Sequence, residues 1–258
     1  MDYIEINKDT WNRRAEIHLK SKFYDVEGFI QGKTSLNELE LNEVGSVAGK
    51  SLLHLQCHFG LDSLSWAQLG AKVTGVDFSS KAINSARKLA EQTGLDAQFI
   101  CAELYEFSQR NNSQFDIVFT SYGVLCWLPD LDKWASLIAN SLKSGGVFYI
   151  VEFHPFFDVI SGYSYFPNAI PDVEEENTYT ENDDGDKLTV ITWPHPLTEV
   201  INALINAGLI IEQFNEYPYS PYNCFENMEE LEKGKFSLNQ SGVWVPLVYS
   251  IKACKPAP

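Results

Sequence analysis

Basic residues are scarce in this chain: 19 lysines and arginines stand against 35 aspartates and glutamates, a formal charge of −16. Binding a phosphate backbone requires cationic surface that displaces counterions, so nucleic acid is not an expected partner, and an anionic membrane surface is disfavoured likewise. The only basic neighbours are the isolated pairs Arg13-Arg14 and Arg87-Lys88. The five cysteines, Cys57, Cys101, Cys126, Cys224 and Cys254, show no CxxC or Cys/His ligand spacing, so no metal is expected. No stretch approaches the roughly 18 apolar residues of a membrane span, and Met1-Asp2-Tyr3-Ile4-Glu5 is not the basic start of a signal peptide. Cytoplasm is the expected compartment, and no internal repeat is evident.

What the chain does have is hydrophobic content, 45% over 258 residues, enough to bury a core without metals or disulfides. From Ser51 the pattern alternates strand and helix. Ser51–Leu55, Ala71–Val76, Ala97–Ala102, Phe115–Thr120 and Val147–Phe153 read as strands, the last apolar except for Glu152. Helical spacing appears over Leu61–Leu69, then after Ser79-Ser80 (Ala82, Ile83, Ala86, Leu89, Ala90), and again after Pro129-Asp130 (Leu131, Trp134, Leu137, Ile138, Leu142). Uniformly apolar strands joined by short βα links predict a doubly wound α/β sheet, mostly parallel and covered on both faces. Residues 1–48 read as a helical N-terminal cap with embedded aromatics, 49–153 as the core and 154–195 as a lid or mobile loop. Residues 196–258 read as a helix (Leu197–Ala207) and closing strands (Leu209–Phe214 and Val243–Cys254), all within a single domain. The acidic run from Glu174 to Asp186 reads as a solvated loop.

In an open α/β sheet ligands bind beyond the carboxyl ends of the strands, at the switch point, here between the first and fourth strands. The informative stretch is Leu53-His54-Leu55-Gln56-Cys57-His58-Phe59-Gly60, followed by Gly75-Val76-Asp77-Phe78-Ser79. A tight turn after the first strand brings backbone N–H groups and a helix N-terminus close to a ligand. Asp77, 17 positions after Gly60, ends the second strand, where a carboxylate can accept from both hydroxyls of a ribose or else cap the next helix.

Over residues 48–153 the chain resembles the class I S-adenosylmethionine-dependent methyltransferases. Their first motif is an acid followed by three glycines at alternating positions; here His54, Gln56, His58 and Gly60 stand there, and only the last glycine remains. The string LHLQCHFG with VTGVDFS resembles the signature of a bacterial small-molecule subfamily. The resemblance implies S-adenosylmethionine as cofactor and S-adenosylhomocysteine as product. It also implies cofactor contacts from Gln56, Cys57, His58, Gly60, Asp77, Phe78, Glu103, Leu104 and Thr120. In that reading Gln56 and His58 narrow the space over the methionine moiety or hydrogen-bond to it. His54 stands in for the acid that helps hold the ligand's amino group, and Glu103 replaces the commoner Asp near the adenine. Val124-Leu125-Cys126-Trp127-Leu128-Pro129-Asp130 and Leu142-Lys143-Ser144-Gly145-Gly146 resemble the family's later motifs. A nicotinamide dehydrogenase shares the acid after the second strand, but its GxGxxG fingerprint is absent, and its βα units would continue to the end of the chain.

Methyl transfer from a sulfonium is an in-line displacement, so the protein must align the reacting groups and exclude water, adding a base only for a protonated nucleophile. His154, just past the fifth strand, is the candidate base, ahead of His58 and His18; a loop histidine held by the backbone is the alternative. His195, between two prolines, reads as structural. Trp11, Tyr24, Tyr122 and Phe156 are candidate substrate contacts, with Phe157, Tyr163 and Tyr165 part of the same aromatic set, which could equally be core. The expected reaction is methylation of an O, N or S nucleophile on a small molecule by a monomer or homodimer. The alternatives are a peptide or protein methyltransferase acting on a carboxyl or side chain, and a non-catalytic cofactor-binding protein.

Overall fold

Chain order explains the architecture once the helix caps are placed. The computed structural model describes residues 2–257, so the outermost residues of the expected cap and C-terminal region, Met1 and Pro258, lie outside it. Three helices come first: α1 (Tyr3–His18), α2 (Val26–Ile30) and α3 (Glu38–Val44). The alternating core follows as β1 (Ser51–Leu55), α4 (Leu61–Gln68), β2 (Lys72–Asp77), α5 (Ser80–Thr93) and β3 (Ala97–Cys101). It continues as α6 (Leu104–Arg110), β4 (Phe115–Ser121), a 3-10 turn at Leu125–Trp127, α7 (Leu131–Ser141) and β5 (Leu142–Phe153). Beyond it lie α8 (Phe156–Ile160), β6 (Asp172–Glu176), β7 (Leu188–Thr192), α9 (Leu197–Asn206) and β8 (Ile210–Tyr217). The chain ends on β9 (Met228–Glu232), β10 (Lys235–Gln240), β11 (Val243–Trp244) and β12 (Val248–Cys254).

Seven strands form one sheet in the order β3-β2-β1-β4-β5-β12-β8. The first five run parallel, and β12 pairs antiparallel with both β5 and β8. The central strands are apolar on both faces because alternate residues enter different cores. Leu53, Leu55, Val118, Phe148 and Ile150 pack with Trp134 and Leu204 on one side. Leu52, Ile117, Phe119, Tyr149 and Val151 pack with Trp66 and Leu39 on the other. Local chemistry fixes the links. The Ser79 hydroxyl accepts from Ala82 N at 3.1 Å to open α5, and Gly94 closes that helix in the left-handed conformation.

Three features depart from the sequence reading. The short helix α6 interrupts the link between β3 and β4. The stretch 154–195, expected to be a lid or mobile loop, contains the hairpin β6–β7, so Glu174–Glu176 lies in a strand rather than a solvated loop. Residues 228–244, expected to supply only the start of a closing strand, form a separate three-stranded sheet, and the closing strand β12 begins at Val248. The hairpin is tied to α1. Asn7 donates to Ile191 O at 2.8 Å and accepts from Ile191 N at 2.9 Å, and the Thr10 hydroxyl donates to Thr189 O at 2.6 Å. Asn7 thereby satisfies both backbone groups of a strand residue on the free edge of β7.

Candidate functional site

The turn after β1 decides the shape of the site. Gln56 and His58 adopt φ of 55° and 51°, and Gly60 follows at 80°, so the left-handed conformation recurs at alternate positions. Gln56 and His58 thus hold the conformation that favours glycine, at two positions where the resemblance places one. Each non-glycine residue held there costs about 1–2 kcal/mol. Gly60 has no substitute: a Cβ at this position would lie 2.6 Å from the Phe99 ring and 2.9 Å from Ala86 Cβ. The turn is pinned by Cys57 N donating to Val76 O at 3.0 Å, and by the Gln56 side-chain amide donating to Val124 O at 2.9 Å.

This turn, the end of β2 and the loops after β3 and β4 line a cavity of about 580 Å³ above the β1/β4 switch point. Its size lies within the roughly 300–1,000 Å³ usual for small-molecule sites. Gln56, Cys57, His58, Gly60, Asp77, Phe78, Glu103 and Leu104 all face it, as do Trp11, Tyr24 and Tyr122 from the substrate set. The N-terminal segment and the β6–β7 region add Arg14, Glu176 and Tyr179 to its wall.

Asp77 is buried at the end of β2. One carboxyl oxygen accepts from His58 N at 2.9 Å and the other from Ser79 N at 2.8 Å. Burial pushes the carboxyl up to about 7, while these backbone N–H groups pull it back down. Glu103 caps α6 by accepting from Glu106 N at 2.8 Å, so its reach into the cavity is limited by a structural duty.

His58 sits in an aromatic stack with Tyr24 and His18, edge-on to Trp11. Its Nε2 lies 3.1 Å from His18 Nδ1, and His18 Nε2 lies 2.6 Å from the Thr178 hydroxyl. Both rings disfavour protonation: burial, then the Arg14 charge, lowers His18 to about 3, and burial first, with the Arg14 charge, lowers His58. Arg14 is buried, stacks 5.4 Å from Trp11 and 5.8 Å from Trp127, and donates to Glu176 at 2.6 Å. Four buried polar atoms of cavity-lining residues, Arg14 Nε, His58 Nδ1, Gln56 Oε1 and the Tyr122 hydroxyl, find no hydrogen-bond partner among the described residues. Such atoms are costly unless something else satisfies them.

Four sequence expectations need correction. His154 does not line the cavity: its Nε2 is held by Glu216 at 2.8 Å on β8 and its Nδ1 accepts from Phe156 N at 3.0 Å. With both ring nitrogens engaged away from the site, it cannot take a proton there. Phe156 begins α8 and also stays outside. Thr120 is fully buried, its hydroxyl donating across the sheet to Leu55 O at 3.2 Å, and does not reach the cavity. His54 lines the cavity but cannot replace an acid, since burial lowers it to about 3 while its Nδ1 contacts the Ser63 hydroxyl at 2.8 Å.

Sequence reasoning missed Arg14, Asp62 and Tyr179 as cavity residues. The buried face of α1 comprises Asn7, Thr10, Arg14, Ala15, Ile17 and His18, too polar to announce itself as a face at all. Glu152 was visible as the one charge in an apolar strand. Its buried carboxylate accepts from the backbone N–H of Gly123, from Val124 N at 2.8 Å and from Leu125 N at 3.2 Å, holding the cavity wall after β4.

Comparison with known proteins agrees with this geometry. Residues 52–146 match the methyltransferase domain family. The chain is 30% identical over 147 residues to a ubiquinone biosynthesis O-methyltransferase of Photorhabdus laumondii, covering 55% of this chain and 58% of that protein. It is 27% identical over 175 residues to the protein of the same name in Aromatoleum aromaticum, covering 65% and 74%. The chain thus spans only a little over half the length of the first of these relatives. Among solved structures, a SAM-dependent methyltransferase from Methanosarcina mazei aligns with a TM-score of 0.60 at 19% identity, over 86% of this chain and 99% of that one. Residues 52–146 are therefore a methyltransferase domain, and the chain has the Rossmann-like fold of the class I S-adenosylmethionine-dependent methyltransferases.

Proposed function

We propose that this chain transfers a methyl group from S-adenosylmethionine to a small-molecule acceptor bound in the same cavity. The observation that carries the reading is Asp77: a buried carboxylate at the end of β2, oriented by two backbone N–H groups and facing a cavity at the switch point. A carboxylate so placed can grip the two hydroxyls of a ribose. The unsatisfied atoms Arg14 Nε, His58 Nδ1 and Gln56 Oε1 fit a ligand that carries both acceptors and donors, as the methionine moiety does. Phe78, Glu103 and Leu104 would surround the adenine. Proteins of the same fold have been solved with SAH, among them DhpI, which aligns over 99% of this chain with a TM-score of 0.59.

The cofactor supplies the activated methyl group. The chain's own residues bind and orient the two ligands, and the cover of aromatic side chains excludes water that would solvate the nucleophile. A cavity of about 580 Å³ is of the size usual for a metabolite, and the relatives' name, an O-methyltransferase of ubiquinone biosynthesis, supports a small acceptor. The segments 1–48 and 154–195 serve in this reading as the cover of one domain. The test is calorimetry with S-adenosylhomocysteine. The wild type is expected to bind it, and Asp77→Ala to lose about 1–3 kcal/mol. Equal affinity in the two proteins would remove Asp77 from the site.

A further inference from the structure

The charge inventory of the cavity does not close. Its ionisable carboxylates are Asp25, Asp62, Asp77, Glu103 and Glu176, and Arg14 is the one Lys or Arg among its described lining residues. Four of the five are accounted for. Glu176 pairs with Arg14, Asp25 with Lys33, Asp77 holds two backbone N–H groups, and Glu103 caps α6. Asp62, in the first turn of α4, has hydroxyls but no cation. Ser35 Oγ donates to its Oδ1 at 2.6 Å, and Ser121 Oγ, at the end of β4, donates to its Oδ2 at 3.2 Å. The Ser65 hydroxyl at 2.9 Å supports Ser35 in turn. Both oxygens are thus aimed, and neither is neutralised.

The surroundings sharpen this. Burial raises the Asp62 carboxyl, and the nearby buried Glu40 is pushed up to about 8, by burial first and by the Asp62 charge second. His54 stands where the resemblance puts an acid for the ligand's amino group, yet it is buried and neutral. On the turn that leads into α4, Gln56 Oε1 is an acceptor with no donor. Tyr24, Tyr179 and Tyr222 supply aromatic walls to the same cavity, and such faces attract cations. A carboxylate with oriented oxygens, an idle amide acceptor and aromatic rings make a site for a compact N–H-rich cation.

We infer that Asp62 is the ammonium-binding residue of this cavity, a role displaced from the end of β1 to the first turn of α4. The inference rests on the cofactor reading above and goes further, since it assigns a charge partner that the altered motif lacks. Two ligands could bring the ammonium, the amino-acid end of the cofactor or an amine acceptor, and the experiment separates them. The first arm compares S-adenosylhomocysteine with its analogue lacking the α-amino group, by calorimetry on the full chain. The second compares benzylamine with benzyl alcohol, by thermal shift on the chain saturated with S-adenosylhomocysteine. Asp62→Asn keeps the shape and removes the charge, and Ser121→Ala only loosens the orientation.

If the cofactor brings the ammonium, the wild type prefers S-adenosylhomocysteine over the analogue by about tenfold or more, Ser121→Ala keeps part of that preference, and Asp62→Asn abolishes it. If the acceptor brings it, that preference survives in Asp62→Asn, while the benzylamine preference of the wild type is lost. Both preferences unchanged in an Asp62→Asn protein that binds S-adenosylhomocysteine overturn the inference alone. A wild type that does not bind S-adenosylhomocysteine overturns the cofactor reading and this inference with it.

Discussion

Glu152 illustrates how one buried carboxylate can shape a site without touching the chemistry. It sits near the end of β5, and three consecutive N–H groups of the 123–125 turn converge on it. Those donors belong to the wall that Gln56 also grips through Val124. Charge-assisted bonds of this kind are the stronger class, and a buried donor left unpaired costs more than the bond itself. Glu152→Gln places an amide N–H₂ against backbone donors, so the chain is expected to lose about 1.5–3 kcal/mol in urea unfolding. A loss below half a kilocalorie would mean that the turn is held by its own backbone. The contrast is His154, whose nitrogens are committed to Glu216 and Phe156. His154→Gln is expected to leave the pH profile of turnover unchanged, and a profile that loses its acidic limb would return this histidine to the mechanism.

At the scale of elements, legibility followed the apolar content of each segment. Strands β1, β2, β4 and β5 and helices α4, α5 and α7 were readable because they fill the hydrophobic clusters on either side of the sheet, and burial there leaves runs of Val, Leu, Ile and Phe. The hairpin β6–β7 was not, since Asp172–Glu176 holds one valine among four acids, a composition that a solvated loop shares. Its order comes from polar contacts distant in sequence: Asn7 with Ile191, Arg14 with Glu176, His18 with Thr178. The sheet at 228–244 is mostly exposed and has only a small apolar cluster beneath it, so its strands gave no periodic signal. Within the site, the end of β2 at Asp77 was legible. Asp62 was not, because its meaning depends on Ser35 and Ser121, which the fold brings together. Asn7→Ala leaves Ile191 N and O without their side-chain partner at a buried position. The expected outcome is faster amide exchange across β6–β7 with little change in β1–β5, read by hydrogen-exchange mass spectrometry. Equal protection throughout would mean that the hairpin is held by packing alone.

For the molecule as a whole, buried titratable groups of two kinds set opposite limits on stability. Glu40 and Asp77 have folded-state values raised to about 8 and about 7, chiefly by burial. The folded state therefore holds their protons more tightly than the unfolded chain does. Their contribution is fully present below about pH 4 and is lost as pH rises through 7 to 8. His18 and His54 are lowered to about 3, again chiefly by burial, so their contribution is present above pH 6.5 and is lost as pH falls toward 3. Between about pH 4.5 and 6.5 the two slopes offset one another. Above 6.5 only the carboxyls act, and the self-repulsion of a chain of charge −16 adds to their effect. Stability of the ligand-free protein is therefore expected to fall between pH 6.5 and 8, by about 2 kcal/mol from Glu40 alone at about 1.4 kcal/mol per pH unit. Glu40→Gln removes that titration, so its melting temperature should decline less than that of the wild type over the same interval. Parallel declines in the two proteins would show that Glu40 is charged in the folded state across the range, with its cost met by a partner other than a proton.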